Sequence, residues 1–298
     1  PELTGPLLTA SVFIPDLFLQ RFPRSVLQSQ KRFLADSFLE VMTSLLRLLF
    51  ILGFYYWFNL TVNLAILAYI LGAFWGFLIG TWLISWQILN QPVTASIKSA
   101  FFNFQKWLTF GFIVAAIHGR IDSVLLLRLS GSEATGIYQA AYRFFMPVIQ
   151  LAGALSLVFA PRFASFDSKL KINQYLFKAS ALSFSLAALS LLMIPLSPVL
   201  VNLIFGAKYA ASVATVKILS LGFAAFLAGA PFASHLIYSA HRTKIFFLLN
   251  VLQLLLLVSL DFYLMPRFGS VGAAWAMTIT LIIINSLMAG VALWRSRS

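Results

Sequence analysis

The chain has 298 residues, 61% of them hydrophobic and only 10% charged, with a mean hydropathy of +0.93. Soluble domains carry about 25% charged residues, so this composition excludes a water-soluble globule and predicts an all-α, polytopic transmembrane bundle. The absence of cysteine excludes disulfide frameworks and thiolate metal sites. The net charge of +13 falls in short clusters between apolar runs, which argues for membrane topology and against a nucleic-acid partner.

The chain opens on Pro1-Glu2, with neither Met nor a basic n-region, so no signal peptide is expected and the sequence reads as cut at this end. A spanning helix needs about 20 largely apolar residues. In chain order such runs lie near 3–20, 35–57, 62–87, 107–129, 135–160, 178–204, 213–239, 244–265 and 271–294. They are apolar on nearly every face, which excludes the alternation of a barrel strand. The polar stretch 88–106 reads as a partly amphipathic linker. It divides the chain into the remainder of a first lobe (1–95, about three helices) and a second lobe (96–298, about six).

Lys and Arg set the orientation. One set of connections holds 14 of them, the alternate set only Arg128, Lys208, Lys217 and Arg267. Loops rich in Lys and Arg stay cytoplasmic, so the C-terminus is expected there, in a cytoplasmic (inner) membrane.

Ionisable groups inside spans each cost about 2.5–3.5 kcal/mol at the membrane centre and persist when paired or facing a wet interior. Asp36, Glu40, Thr43 and Arg47 share one helical face. His118 and Asp122 lie one turn apart, with Arg120 nearly opposite. Gln139, Arg143 and Gln150 form a stripe on the next span. Counting from Ser132, Asp122 and Arg143 fall at similar depth, so they either pair or flank a common cavity. A purely structural reading makes Glu40–Arg47 and Asp122–Arg143 ion pairs that only fix packing. Pro147, Pro195, Pro198 and Pro231 are candidate kinks, and Gly222, Gly229, Gly269 and Gly272 candidate close contacts. No phosphate-binding loop, zinc-protease helix or nucleophile elbow is present, and no cofactor or metal site is expected. An enzyme is a poor reading.

Several runs resemble the polysaccharide (O-antigen, lipid-linked oligosaccharide) flippases of bacteria, within the multidrug/oligosaccharidyl-lipid/polysaccharide exporter superfamily. They are Val26-Leu27-Gln28-Ser29-Gln30-Lys31-Arg32-Phe33, Ile121-Asp122-Ser123-Val124-Leu125-Leu126 and Gly136-Ile137-Tyr138-Gln139-Ala140-Ala141-Tyr142-Arg143. Pro161-Arg162-Phe163, Leu203-Ile204-Phe205-Gly206-Ala207-Lys208-Tyr209 and Gly269-Ser270-Val271-Gly272-Ala273-Ala274 continue the likeness in order.

The resemblance implies a two-lobed fold of twelve or more helices, of which this chain would supply the fourth to the twelfth. It also implies translocation of a lipid-linked (polyprenyl diphosphate) oligosaccharide for surface polysaccharide synthesis. Arg143 and Arg47 are then assigned to the anionic head, which guanidinium groups bind in charge-assisted, bidentate fashion. Arg120, Gln139 and Gln150 are further substrate contacts, and Asp122, Glu40 and His118 serve ion coupling or charge balance. The implied partners are the lipid-linked oligosaccharide, membrane lipids and a coupling H+ or Na+. The transporter would be monomeric, near a glycan polymerase and glycosyltransferases. Two alternatives stay open: a cation-coupled multidrug exporter of the same superfamily, and a non-transporting membrane scaffold.

Overall fold

The computed structural model describes residues 19–30, 32–84, 94–166 and 168–297; the expected first span, but for residues 19–20, and residues 88–93 of the expected linker lie outside them, while the rest of that linker, from Ala95 on, is helical. The described residues are helical throughout their ordered elements, with no strand. In order they are α1 (19–29), α2 (Phe33–Trp57), α3 (Val62–Leu83), α4 (Ala95–Arg143), α5 (Met146–Ala164), α6 (Lys169–Ser190), α7 (Met193–Phe205), α8 (Ser212–Tyr238) and α9 (Thr243–Arg297).

Six of these helices are long and apolar enough to cross a membrane, and the pair α6–α7, bent by 49°, is a seventh candidate when taken as one span. At 49 and 55 residues, α4 and α9 are each more than twice the length that a hydrocarbon core of about 30 Å requires. Each turns back at a glycine with positive φ, Gly131 (φ 84°) and Gly269 (φ 53°), a conformation that costs an L side chain strain. The first arm of α4 is one crossing, and its second arm continues through Phe144–Phe145 into α5 as the next. The two arms of α9 are separate crossings. The described residues therefore hold eight crossings, matching the eight spans expected from 35 onward. Pro147 starts α5 and Pro195 falls in the first turn of α7, so both breaks come where a proline enters a new helix. Pro198 and Pro231 sit inside unbroken helices.

The chain forms two compact units, residues 1–93 and 94–298. In the first, α2 lies on α3 along a ladder of small residues. A Cβ at Gly72, Gly76 or Gly80 would strike Arg47 Cγ at 2.3 Å, Thr43 Oγ1 at 2.4 Å and Leu39 Cδ2 at 2.8 Å respectively. Membrane helices gain no hydrophobic effect from leaving lipid for one another, so this close backbone approach is what holds the pair.

The second unit uses the same device between α8 and α9. A Cβ at Gly222 would meet Thr278 Cα at 2.8 Å, and one at Gly229 would meet Asn285 Oδ1 at 1.9 Å. Thr278 seals the contact by donating its hydroxyl to the Ile218 carbonyl at 2.9 Å. Tyr138, Phe145, Leu219, Phe223, Leu257 and Met277 fill the core around these helices. Ser130 donates to the Met265 carbonyl at 2.9 Å, tying the two turns together.

Gly272 lies one turn past Gly269, where a Cβ would stand 2.3 Å from the backbone oxygen of Leu264. Backbone cannot yield as a side chain can, so Gly272→Ala should destabilise the protein by about 1–3 kcal/mol. Gly119, with open space at its Cβ position, is the control: Gly119→Ala should hold or raise the melting temperature. Thermal unfolding in detergent checks both.

Candidate functional site

The hairpin at Gly131 decides which polar groups meet. Its arms run antiparallel about the turn, so Asp122 faces Tyr138 and Ser123 faces Gln139. The Tyr138 hydroxyl donates to Asp122 Oδ2 at 2.5 Å, and Asp122 Oδ1 accepts from the Ser123 backbone at 2.7 Å and its hydroxyl at 3.2 Å. Gln139 in turn hydrogen-bonds Ser123. The Asp122–Arg143 clasp is not formed, because Arg143 lies five residues farther along its arm than Tyr138, the partner of Asp122. Arg143 is exposed, as are Arg120 and Gln150. Arg120 is near enough to Asp122 to offset part of its charge without an ion pair.

Asp261 is the group that the sequence reading passed over. It precedes Gly269 by eight residues, as Asp122 precedes Gly131 by nine, so the two carboxylates reach nearly the same depth on neighbouring hairpins. Asp261 lies within electrostatic reach of Asp122, and Tyr138 within reach of both. Asp261 is fully buried, and neither of its carboxylate oxygens has a hydrogen-bond partner among the described residues. The signal in the sequence was its position: one of eight acidic residues, in the middle of an apolar run.

Beside this cluster the second unit encloses a cavity of about 490 Å³. Aromatic rings line it, among them Phe112, Tyr142, Phe223 and Phe246, together with the neutral polar side chains of Asn250, Gln253 and Asn285. His118 also faces it, within 3.1 Å of the Gln253 amide nitrogen. Among the described residues of the lining there is no Lys, Arg, Asp or Glu. Among the described residues, no three His, Asp or Glu side chains converge as a multivalent metal centre would need.

In the first unit the carboxylates of α2 are both taken by Arg24 of α1. Its Nε lies 2.7 Å from Asp36 Oδ1 and its Nη2 2.5 Å from Glu40 Oε2, and Gln28 completes the cluster by donating to Asp36 at 2.9 Å. The hydrogen bond to Asp36 leads in holding the Arg24 guanidinium above its ordinary pKa. Glu40 therefore balances Arg24 and forms no ion pair with Arg47. Arg47 instead lays its stem across Gly72, donates to Gln20 Oε1 at 3.0 Å and stacks its guanidinium 5.4 Å from the Tyr69 ring centre. Its Nε is buried with no hydrogen-bond acceptor. None of the described carboxylates pairs with Arg47, Arg120 or Arg143.

The model of a family described as polysaccharide biosynthesis protein matches residues 1–214. The chain belongs to this family. Solved structures agree on the fold. A MATE transporter aligns with a TM-score of 0.78 at 13% identity, over 95% of this chain and 66% of its own. VcmN, a MATE transporter of Vibrio cholerae, aligns at 0.76 and 15% identity, over 93% and 66%. A MOP-superfamily transporter from Pyrococcus furiosus, described as having a binding pocket of reverse polarity, aligns at 0.75 and 14%, over 97% and 68%. The chain thus spans about two thirds of the length of these proteins and shares their fold. No curated protein matches it. The family member is a multi-pass membrane protein, as its eight described crossings require.

Tyr138→Phe removes the one side-chain hydroxyl that spans the hairpin to Asp122. The variant should be less stable by about 1–3 kcal/mol, the cost of leaving a buried charged-group hydrogen bond unmade. Tyr142→Phe, whose hydroxyl makes no such bond, should change little. Melting temperatures of the two variants side by side check the assignment.

Proposed function

We propose that this polysaccharide biosynthesis protein carries a lipid-linked oligosaccharide across the cytoplasmic membrane, by alternating access of two lobes. The observation that supports this most is the state of Arg47, a guanidinium inside an apolar span with no carboxylate beside it among the described residues and one N–H without an acceptor among them. A charge left uncompensated at that depth is costly, and a diphosphate is the ligand that would offset it. Arg143 and Arg120, exposed and without an ion pair among the described residues, are the candidate groups of the second unit, with Gln139 and Gln150 as neutral contacts.

The neutral, aromatic- and amide-lined cavity of the second unit supports a carbohydrate cargo by its own chemistry. Sugar rings present apolar faces and hydroxyl edges, which stack on Tyr and Phe and bond to Asn and Gln. Asp122 and Asp261, with Tyr138 between them, form a seat for one proton or Na+, through which an ion gradient would drive the cycle. The substrate would come from membrane-bound glycosyltransferases and pass to a polymerase, with the C-terminus cytoplasmic.

A second reading rests on the aromatic cavity, which also suits a lipophilic cation. That reading makes the chain a cation-coupled multidrug exporter. The two separate in one experiment: cells producing Arg47→Ala or Arg143→Ala at unchanged protein level should lose about tenfold or more of their surface polysaccharide, with Arg→Lys partly restoring it. Unchanged polysaccharide with altered resistance to cationic dyes would transfer the case to the exporter.

Asp261→Asn should fold, since it replaces an unpartnered group by a neutral isostere. In proteoliposomes it should abolish the response of transport to an imposed H+ or Na+ gradient. A full response in the variant would remove Asp261 from coupling.

A further inference from the structure

Helices α5 and α6 follow one another in the chain, and each packs along α8, burying Phe159, Phe163, Leu176 and Ala179 against Leu227 and Phe232. They meet each other mainly at their shared end, where the ring of Tyr175 lies 5.0 Å from that of Phe163 and 5.5 Å from that of Phe166. Farther along they diverge and leave a groove of about 480 Å³. In a bilayer such a space does not stay empty. Lipid must fill it, and the side chains along it decide which lipid.

The groove is amphipathic. Arg162 and Lys171 line it within a turn of the chain connection, Lys178 lines it two turns farther along α6, and Val158, Phe159 and Leu182 are apolar parts of its walls. Val158 lies one turn from Arg162 on α5, and Leu182 one turn beyond Lys178 on α6, so on each wall an apolar side chain follows a cation within about 6 Å. The Arg162 guanidinium is held over the Tyr175 ring at 5.8 Å, which orients it without neutralising it. No carboxylate is among the described lining residues; Asp167, in the connection, lies outside the described residues, and even counted in full it leaves the rim net positive.

We propose that this groove is a binding site for an anionic membrane phospholipid, its phosphate held by Arg162, Lys171 and Lys178 and one acyl chain lying over Val158 and Leu182. Basic pockets between spanning helices select acidic headgroups in this way. A zwitterionic headgroup would place its ammonium among three cations. The site is built wholly within the second unit from two adjacent helices, so it needs no rearrangement of the protein, and bulk phospholipid is always present to fill it. It does not depend on which substrate the protein transports.

The test is native mass spectrometry of the purified full chain in neutral detergent, titrated with phosphatidylglycerol or with phosphatidylcholine of the same chains. The wild type should retain one phosphatidylglycerol with at least about tenfold preference. Arg162→Gln/Lys171→Gln/Lys178→Gln should lose that preference, while Lys208→Gln/Lys217→Gln, which removes charge elsewhere, should keep it. All three rim residues are exposed, so folding should survive; should the triple variant fail to fold, Arg162→Gln and Lys178→Gln singly should each weaken retention several-fold. Equal retention of the two lipids, or a triple variant that still prefers phosphatidylglycerol, overturns the proposal. Displacement of the bound lipid by stoichiometric polyprenyl diphosphate also overturns it, making the groove an entry point for substrate.

Discussion

Helices in hydrocarbon are as well solvated by lipid tails as by each other, so close contact of their backbones has to be built in. In this protein glycine builds it. Gly72, Gly76 and Gly80 receive α2 in the first unit, and Gly222 and Gly229 receive α9 in the second. Two of the interior polar groups depend on this approach. Arg47 reaches Gln20 and Tyr69 because its stem passes over Gly72, where any side chain would block it. Asn285 occupies the space that Gly229 leaves open, beside the cavity of the second unit.

The same economy governs the charges. A carboxylate and a guanidinium buried together neutralise each other and leave nothing for a ligand. The structure separates the two kinds of site. Asp36 and Glu40 are spent on Arg24 near the end of α2. Asp122 is held by hydroxyl and backbone donors. Among the described residues Arg47 is thereby left without an acidic partner, and the Asp261 carboxylate without a hydrogen bond.

The two hairpins show how register turns sequence position into chemistry. Gly131 and Gly269 each reverse the chain with positive φ. The distance of a residue from its glycine then sets its depth. Asp122 and Asp261 stand at almost equal distances from their turns, 139 residues apart in the chain, and come within electrostatic reach. Arg143 is at a different distance from Gly131, and its stripe leads to the surface of the unit instead of to Asp122.

Composition, run length and the sparseness of charge were enough to determine a helical membrane bundle and the order of its crossings, because a spanning helix satisfies its own backbone and needs only length and apolarity; the family was legible only through the resemblance of short runs such as Gly136–Arg143. The kinks at Pro147 and Pro195 and the close contacts at Gly222, Gly229 and Gly272 were equally local properties. Partnership was not local. Whether Glu40 meets Arg47 or Arg24, whether Asp122 meets Arg143 or Tyr138, and that Asp261 joins them at all depend on hairpin register and on which helices adjoin. Those are set by packing between segments far apart in the chain, which helical periodicity within one segment does not encode.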